Sequence, residues 1–550
     1  MNTKSNQSRD EQIQEDIRDL HKLGYAQQLF REMGGFSNFA ISFSIISILT
    51  GAILLFSYGL QYAGPIINTF GWPLVSFFVL AVAASMAELA SAYPTAGGLY
   101  FWAYKLGGPT WAWVTAWFNM IGQIMITAGI NFAASLYILG ALNRIFGTTI
   151  DTTNTGIIII GMIVIMIPQV LINVFGTKLT ARLSDFSVYW HIGGVIIMVT
   201  LLLFFGKYRQ PLSFLFQGVV TVDPATQTST FAAGPFTFNS IMMKIPGFTA
   251  LYAGGGIALA FVLGLLQAQW TYTGYDASAH VAEETVMARK NSAWGVFLSV
   301  AVSFVVGFIM LLTLTLRIPD IAKTVDPANS PAVLYIVYSN LDTPIFAHII
   351  AIIIGGAMWL CGMSSITSMS RMWFAFARDG GMPGHTLIRQ IHPTLRTPIW
   401  SIIITSILAI LLTVYAALYS VVVAVSTTAL YLAYGIPIYL NLRNKLRKQG
   451  EYATPETAPW SLKRWGTAIN VISVLWIIFI TILFSIPPNE LAGWSIIALG
   501  VFMFLYWQLD AKRRFTGPKP TSEEELRRVE AALQGGTPTT VGAGGGGSIE

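Results

Sequence analysis

The chain has 550 residues, of which 54% are hydrophobic and only 11% are charged. A soluble domain carries about 25% charged residues, so this composition excludes a water-facing globule and indicates an integral membrane protein. A single cysteine, Cys361, excludes a disulfide scaffold, and the net charge of +6 is read as a sign of membrane topology, with no nucleic-acid partner expected.

The chain begins with a polar, charged segment, residues 1–35, which predicts a cytoplasmic N-terminus and lacks the order of a cleavable signal peptide. Twelve apolar stretches follow, close to the roughly 20 residues that a transmembrane helix needs. They are 38–62, 71–93, 112–142, 157–175, 184–206, 256–284, 293–317, 343–371, 398–414, 417–441, 466–486 and 490–508. We therefore expect an all-α integral membrane protein whose transmembrane domain covers residues 36–510.

Loop charge gives the expected orientation. With twelve spans and a cytoplasmic start, 26 of the 32 Lys and Arg residues fall in loops on the cytoplasmic side, as the positive-inside rule requires. Both termini are thus expected in the cytoplasm.

Three segments outside the spans are distinctive. Residues 207–255 and 318–342 are long outer segments, which we expect to form external lids or short helices. Residues 511–540 read as a cytoplasmic tail with a short helix expected at 522–533, where Ser522 and Glu525 have the spacing of a capping box. Residues 541–550 are rich in glycine and read as a flexible linker.

Two spans contain residues that favour a break in the helix. Span 1 has Thr50 and Gly51 near its middle, and span 6 contains an unusually polar run at 267–280. A helix breaks at membrane depth only where the freed backbone groups line a protein-enclosed cavity or bind something. Breaks at corresponding positions of two five-helix halves, about 38–206 and 256–441, are typical of inverted-repeat transporters.

The breaks suggest a way to bind a zwitterion. N–H groups at the start of the outer half of span 1 favour a carboxylate, and carbonyls at the end of the outer half of span 6 favour an ammonium. The alternative is that Gly51 and Gly274 only allow close helix packing. The paired placement favours a binding site over this alternative.

Three motifs carry a resemblance to a known family. They are 85–100 (SMAELASAYPTAGGLY), 274–284 (GYDASAHVAEE) and 370–383 (SRMWFAFARDGGMP). These resemble helix 2 with its loop, helix 6, and the loop after helix 8 in the amino acid-polyamine-organocation (APC) superfamily. The HVAEE run and the pair Trp190 and His191 resemble most its amino acid/choline transporter branch, which includes γ-aminobutyrate (GABA) and choline permeases. The resemblance implies a LeuT-type fold with alternating access.

The resemblance also implies a substrate site. It would lie at the two breaks, with the indole of Trp270 covering the substrate and able to hold an ammonium by a cation–π contact, for which plain packing is the alternative. Polar residues of spans 3 and 10 could face the same cavity, although interhelical hydrogen bonding is the favoured interpretation for any one of them. Leu49 stands where the family commonly has glycine, which departs from the usual helix 1 break. The candidate substrate-binding residues are Thr50, Gly51, Ala52, Asn119, Gln123, Trp270, Thr271, Thr273, Gly274 and Ser426.

Ionisable residues inside spans are candidates for ion coupling. Asp276 follows the break of span 6, where it could take up a proton, pair with an amine or cap the inner half-helix. His191 in span 5 occupies a place where proton-coupled relatives carry a lysine, although packing alone is an equal alternative. Sodium coupling remains open through hydroxyls of span 8, which are those of Ser364, Ser365, Thr367 and Ser368.

Acidic residues near the cytoplasmic ends of spans predict gate contacts. Glu88, Glu283 and Glu284 occupy family motif positions, and we expect ion pairs with Arg182, Arg289, Arg371 or Arg378. A structural role is the favoured interpretation for these residues.

The sequence as a whole predicts a secondary active transporter of the plasma membrane, or of the inner membrane in a bacterium. It would import a small amino acid or amine such as GABA with protons, as a monomer or homodimer, and without a cofactor or a catalytic or metal site. A P-loop and an HExxH motif are absent, which argues against an ATP-driven pump and a membrane protease. A choline or polyamine permease, an amino acid exchanger, a channel and a transporter-like nutrient sensor are the alternatives.

Overall fold

The computed structural model describes residues 8–218, 242–248, 251, 256–415, 419–518 and 521–534, and this part of the chain is helical. Its one β-type contact in these ranges is an isolated bridge between Met33 and Thr285. The helices are α1 Arg9–Lys22, α2 Gly35–Ile46, α3 Gly51–Leu54, α4 Phe56–Ala63, α5 Trp72–Ala92, α6 Leu99–Gly107, α7 Pro109–Phe146, α8 Thr155–Phe175, α9 Thr177–Phe205, α10 Gly256–Gly264, α11 Leu266–Thr271, α12 Ala277–His280, α13 Ala288–Leu316, α14 Ile321–Val325, α15 Ala332–Asn340, α16 Pro344–Arg378, α17 His385–Ile388, α18 Ile399–Tyr415, α19 Tyr419–Arg447, α20 Gly466–Leu483, α21 Glu490–Tyr506, α22 Lys512–Arg514 and α23 Glu523–Gln534.

Ten helical stretches in the described residues are long and apolar enough to cross a membrane. Two more of the expected spans, the sixth and the ninth, correspond to shorter apolar helices, Ile257–Thr271 and Ile399–Thr413. The sixth is short because its helix is interrupted before the polar run ends. The multi-pass helical class is confirmed, whereas the count of twelve spans stays a prediction.

Helices of the first half pack against helices of the second half. Helix α5 lies along α13, and α7 lies between α16 and α19. Buried alanines, glycines and serines of α7 allow this approach, because small side chains let helix backbones come close. Large apolar side chains point away from the bundle, as those of a membrane-facing surface do.

The loops predicted to be cytoplasmic meet at one end of the bundle, here called the terminal end. Arg289 donates to the carbonyl of Ser91, and Thr397 donates to the carbonyl of Val174. The terminal helices lie there too, where His21 of α1 contacts Glu530 of α23 at 2.8 Å. This clustering agrees with the assignment of alternate loops to one side of the membrane. That this side is the cytoplasm stays a prediction.

The carboxylate of Asp16, in helix α1, caps the start of the seventh span. Both carboxylate oxygens of Asp16 accept backbone N–H groups at the start of α13, from Met287 at 2.7 Å and Ala288 at 3.0 Å. A carboxylate at this position also complements the positive end of the helix dipole. Burial raises the pKa of Asp16, and the nearby guanidinium of Arg31 acts in the opposite direction.

The segment 318–342 forms the expected short helices, α14 and α15, and the tail contains the expected helix α23, in which the N–H of Glu525 donates to the hydroxyl of Ser522. The linker at 541–550 and most of the outer segment 207–255 lie outside the described residues.

Candidate functional site

The two interrupted spans touch each other at their breaks. In span 1 the helix stops at Ile46 and resumes at Gly51, and in span 6 it stops at Thr271 and resumes at Ala277. A Cβ placed on Gly51 would lie 2.8 Å from the Cα of Thr271, a separation that side chains do not tolerate. The close-packing interpretation of Gly51 therefore accounts for its position in this conformation.

Gly274 is required by the backbone as well as by packing. Its φ of +82° lies in the left-handed region that favours glycine, and a Cβ there would lie 2.3 Å from a methyl carbon of Ile45. The N–H of Gly274 donates to the hydroxyl of Tyr434 at 3.1 Å. The turn of span 6 is thus fixed from both span 1 and span 10.

The structure corrects the expectation of free N–H groups in span 1. The N–H groups of Thr50 and Gly51 both donate to the carbonyl of Ser47, at 2.7 and 3.0 Å. Ser47 has a φ of 33°, which turns the chain so that its own carbonyl satisfies these donors. The hydroxyl of Thr50 contacts that of Ser47 at 2.6 Å, and the carbonyl of Ala52 accepts from Gln267 at 3.4 Å.

Three carbonyls of the span 6 break already accept a hydrogen bond from a hydroxyl group, so these three are not free as expected. Thr273 donates to the carbonyl of Trp270, Tyr431 donates to that of Tyr272, and Ser42 donates to that of Tyr275. The hydroxyl of Thr271 donates to Gln267 within its own helix. Because a carbonyl has two lone pairs, each can still accept a second hydrogen bond.

The carboxylate of Asp276 is the centre of a buried polar network. Its Oδ2 accepts from Asn119 at 3.0 Å and Gln123 at 3.1 Å, and its Oδ1 accepts from Tyr434 at 2.9 Å. His280 Nε2 lies 3.0 Å from the same Oδ2. The side chain makes no cap contact with the inner half-helix, so the capping alternative is wrong.

Two acceptors of this network are left without partners. The amide oxygens of Asn119 and Gln123 are buried and make no hydrogen bond in the described part of the chain. A buried polar atom without a partner costs about 1–3 kcal/mol. Asn119 and Gln123 therefore offer acceptors, not donors, to a ligand beside Asp276.

Trp270 joins span 6 to spans 3 and 10. Its indole N–H donates to the hydroxyl of Ser426 at 3.1 Å, and its ring edge lies 3.5 Å from a Cβ placed on Gly129. The residue is only 2% exposed. Its ring therefore closes the space between three spans above the break.

A cavity of about 230 Å³ lies on the far side of Trp270 from the break. Its lining residues include Leu55, Tyr58, Ala133, Leu266 and Val423. On span 6, Trp270 lies one helical turn after Leu266, and on span 10, Ser426 lies one turn after Val423. Residues three or four apart share a helix face, so Trp270 and Ser426 lie on the same faces as these lining residues, one turn closer to the break. Trp270 and Ser426 do not themselves line the cavity.

His191 reaches the break of span 1. Its Nε2 lies 2.7 Å from the Ser47 hydroxyl, and its Nδ1 lies 2.7 Å from the carbonyl of Ser187. In span 8, Thr367 and Ser365 bond other protein groups, whereas the hydroxyls of Ser364 and Ser368 are buried without a hydrogen bond among the described residues.

Two buried ion pairs join span 6 to span 8 at the terminal end. Arg378 binds Glu283 with both terminal nitrogens at 2.9 Å, and Arg371 Nε binds Glu284 at 2.7 Å. Glu88 does not take one of the expected arginines. It pairs with Lys445, which follows span 10 near the end of α19.

Comparison with known proteins identifies the family. The profile described as amino acid permease matches residues 33–507. The amino-acid permease BAT1 of Arabidopsis thaliana is 32% identical over 533 residues, covering 91% of this chain and 95% of that protein. Its homolog in Oryza sativa subsp. japonica is 31% identical over 524 residues, covering 91% of this chain and 94% of that protein. The amino-acid permease 2 of Neurospora crassa is 24% identical over 520 residues, covering 91% and 88%.

The chain belongs to the amino acid permease family. This confirms the resemblance to the APC superfamily and the expectation that the protein is a transporter and not an enzyme. The permease thus acts on a small-molecule substrate in a membrane.

Sequence reasoning missed four buried or half-buried polar residues whose partners the structure reveals. They are His280, Tyr434, Gln269 and Lys445. His280 could have been found from its spacing, because it follows Asp276 by four residues in a half-helix and so shares its face. Tyr434 and Gln269 had no such signal, since only the packing of α19 and α20 against span 6 gives them their partners.

Proposed function

We propose that the permease is a proton-coupled secondary transporter that imports a small amino acid or amine, such as GABA, across the plasma membrane by alternating access. A LeuT-type arrangement is part of this proposal. It is supported by the two interrupted spans at corresponding positions, by their contact at Gly51 and Thr271, and by the packing of α5 on α13 and of α7 on α16.

The unpaired amide oxygens of Asn119 and Gln123 carry the substrate proposal. Both are buried next to the Asp276 carboxylate, and an ammonium has three donors and no acceptor. An amine bound here satisfies both oxygens and lies in the negative field of Asp276. The substrate amine is therefore assigned to this corner of the site.

Gln269 supplies a group for the other end of an amino acid. Its Nε2 is buried without a hydrogen-bond partner among the described residues, while its Oε1 accepts from Trp476 at 3.1 Å. An amide N–H is a donor suited to a carboxylate. Because the N–H groups of Thr50 and Gly51 are already used, Gln269 is the better candidate for this contact in the present conformation.

The cavity beyond Trp270 provides the route of access in this proposal. The Arg378–Glu283 pair is buried at the terminal end, and the cavity of about 230 Å³ reaches Leu266, one helical turn from Trp270 on the side away from the break. Substrate binding then requires the indole to move and to close again over the ligand.

Uptake into proteoliposomes tests the function. The purified full chain is reconstituted, and labelled GABA, L-alanine, choline and putrescine are supplied with an inward proton gradient or, separately, with a sodium gradient. We expect saturable uptake of GABA or alanine that follows the proton gradient. Uptake of choline or putrescine alone would reject the amino acid assignment, and binding without any uptake or counterflow would reject transport in favour of a sensor.

A further inference from the structure

His280 lies between two groups that both accept hydrogen bonds. Its Nδ1 is 3.1 Å from the backbone carbonyl of Ala96, and its Nε2 is 3.0 Å from Asp276 Oδ2. The imidazole and the carboxylate are both fully buried. A carbonyl oxygen can only accept, so Nδ1 carries a hydrogen.

The carboxylate has donors on all its other sides. Asn119 and Gln123 donate to Oδ2, and Tyr434 donates to Oδ1 because its own oxygen already accepts the N–H of Gly274. Both oxygens of Asp276 thus face hydrogen-bond donors, which is the environment of an ionised carboxylate. A neutral His280 would direct its Nε2 lone pair at this anion, so the geometry requires a hydrogen on Nε2 as well.

His191 does not need a hydrogen on both ring nitrogens. Its Nδ1 faces the carbonyl of Ser187, but its Nε2 faces the hydroxyl of Ser47, which can donate. One ring hydrogen is enough to satisfy His191. The two buried histidines of the breaks therefore differ by one proton.

We infer that the Asp276–His280 pair is the proton-carrying site of the permease, holding one transferable proton as an imidazolium and a carboxylate in this conformation. This inference rests on the proposed proton coupling and assigns it to a residue pair. Release transfers the proton from an imidazole nitrogen to water, and the pair changes from a net charge of zero to minus one. A buried net charge is costly, so release requires water to reach the pair.

The contacts of Ala96 couple this release to the terminal end. The carbonyl of Ala96 faces His280, while its N–H donates at 3.0 Å to Glu283, the partner of Arg378. Residues 276–284 thus hold the backbone of Ala96 at both its N–H and its carbonyl. Loss of a His280 hydrogen removes either the Ala96 contact or the Asp276 contact, which loosens the segment that carries the Glu283–Arg378 ion pair.

The groups around the pair come from each element packed on it. Span 3 contributes the amides of Asn119 and Gln123. Span 10 contributes the hydroxyls of Tyr434 and, farther away, Tyr431, and Tyr275 lies beside Asp276 in the break itself. The charged neighbours are Glu283 on the same segment and, through it, Arg378 of span 8. Since Glu283 and Arg378 neutralise each other, the proton on His280 is the one that balances Asp276.

The first test does not depend on transport. The full chain is labelled with ¹⁵N-histidine, reconstituted in liposomes at pH 7.5 and studied by solid-state NMR. The chain has six histidines, and an exposed histidine is only about 10% protonated at this pH. All samples carry His21→Gln, because His21 contacts the carboxylate of Glu530. We expect one doubly protonated ring that is absent when His280→Gln is added and present when His191→Gln or the control His348→Gln is added. A spectrum without such a ring, or one whose ring is lost with His191, overturns the inference.

The second test measures coupling with labelled GABA and L-alanine in proteoliposomes. We expect His280→Gln to lower proton-driven accumulation at least tenfold and counterflow less than threefold. Accumulation that persists in His280→Gln, with the protein monodisperse on size exclusion, overturns the inference. If the wild-type permease transports neither probe, or transports one without protons, the proposed function fails, and the NMR result still decides whether the pair holds a proton.

Discussion

The Cα of Thr271 lies 2.8 Å from the place where a Cβ on Gly51 would stand, so the two interrupted spans pass each other with nothing between them. This contact determines what the rest of the site can do. The breaks do not form an open cradle here; they form a closed junction below Trp270.

Gly51→Ala should destabilise the permease by about 1–3 kcal/mol, because an added methyl in a tight contact forces backbone shifts. Thermal unfolding in detergent measures the loss, and transport per folded protein should fall with it. The matched control is Gly193→Ala in span 5, where a Cβ meets nothing within 4 Å. Equal unfolding temperatures for the two variants would contradict the tight junction.

Gln269→Leu should raise the KM for GABA and L-alanine about tenfold and leave binding of a diamine such as putrescine unchanged. The reason is that the substitution removes the unpaired buried N–H that we assign to the carboxylate. Trp476→Phe is the control, since it removes the other hydrogen bond of Gln269 and keeps the Nε2 group. If both variants raise KM equally, the effect is structural.

Trp270→Ala should raise the transport KM sharply, by tenfold or more, because the ring closes the space between spans 3, 6 and 10. Trp270→Phe keeps an aromatic ring but loses the bond to Ser426, so its KM should match that of Ser426→Ala. Uptake kinetics at equal surface expression give these values. An unchanged KM in Trp270→Ala would remove the residue from the site.

Glu283→Gln should cost about 3–5 kcal/mol in stability, because it leaves the buried guanidinium of Arg378 without its charge partner. It should also increase labelling of cysteines introduced at the terminal end, since the pair ties span 6 to span 8 there. Glu523→Gln, which breaks an exposed pair with Arg527, is expected to change stability by less than about 0.5 kcal/mol. Unchanged labelling in Glu283→Gln would argue against a gate.

The helical class, the family and the positions of both breaks were accessible from the sequence. Apolar stretches, motif order and residues such as Gly51 and Gly274 carry these signals locally. Hydrogen bonding at the breaks was not accessible, because the left-handed Ser47 turns its own carbonyl onto the N–H groups of Thr50 and Gly51. Likewise, the partner of Glu88 depends on which helix end lies beside span 2, and that is Lys445, not an arginine.

Simultaneous recording of substrate uptake and internal pH in one population of proteoliposomes shows whether each substrate molecule enters together with protons. With labelled GABA or L-alanine outside and no imposed gradient, the account predicts that uptake acidifies the lumen and that both signals saturate with the same KM. Uptake of either probe without a change in internal pH would contradict proton-coupled transport by this permease.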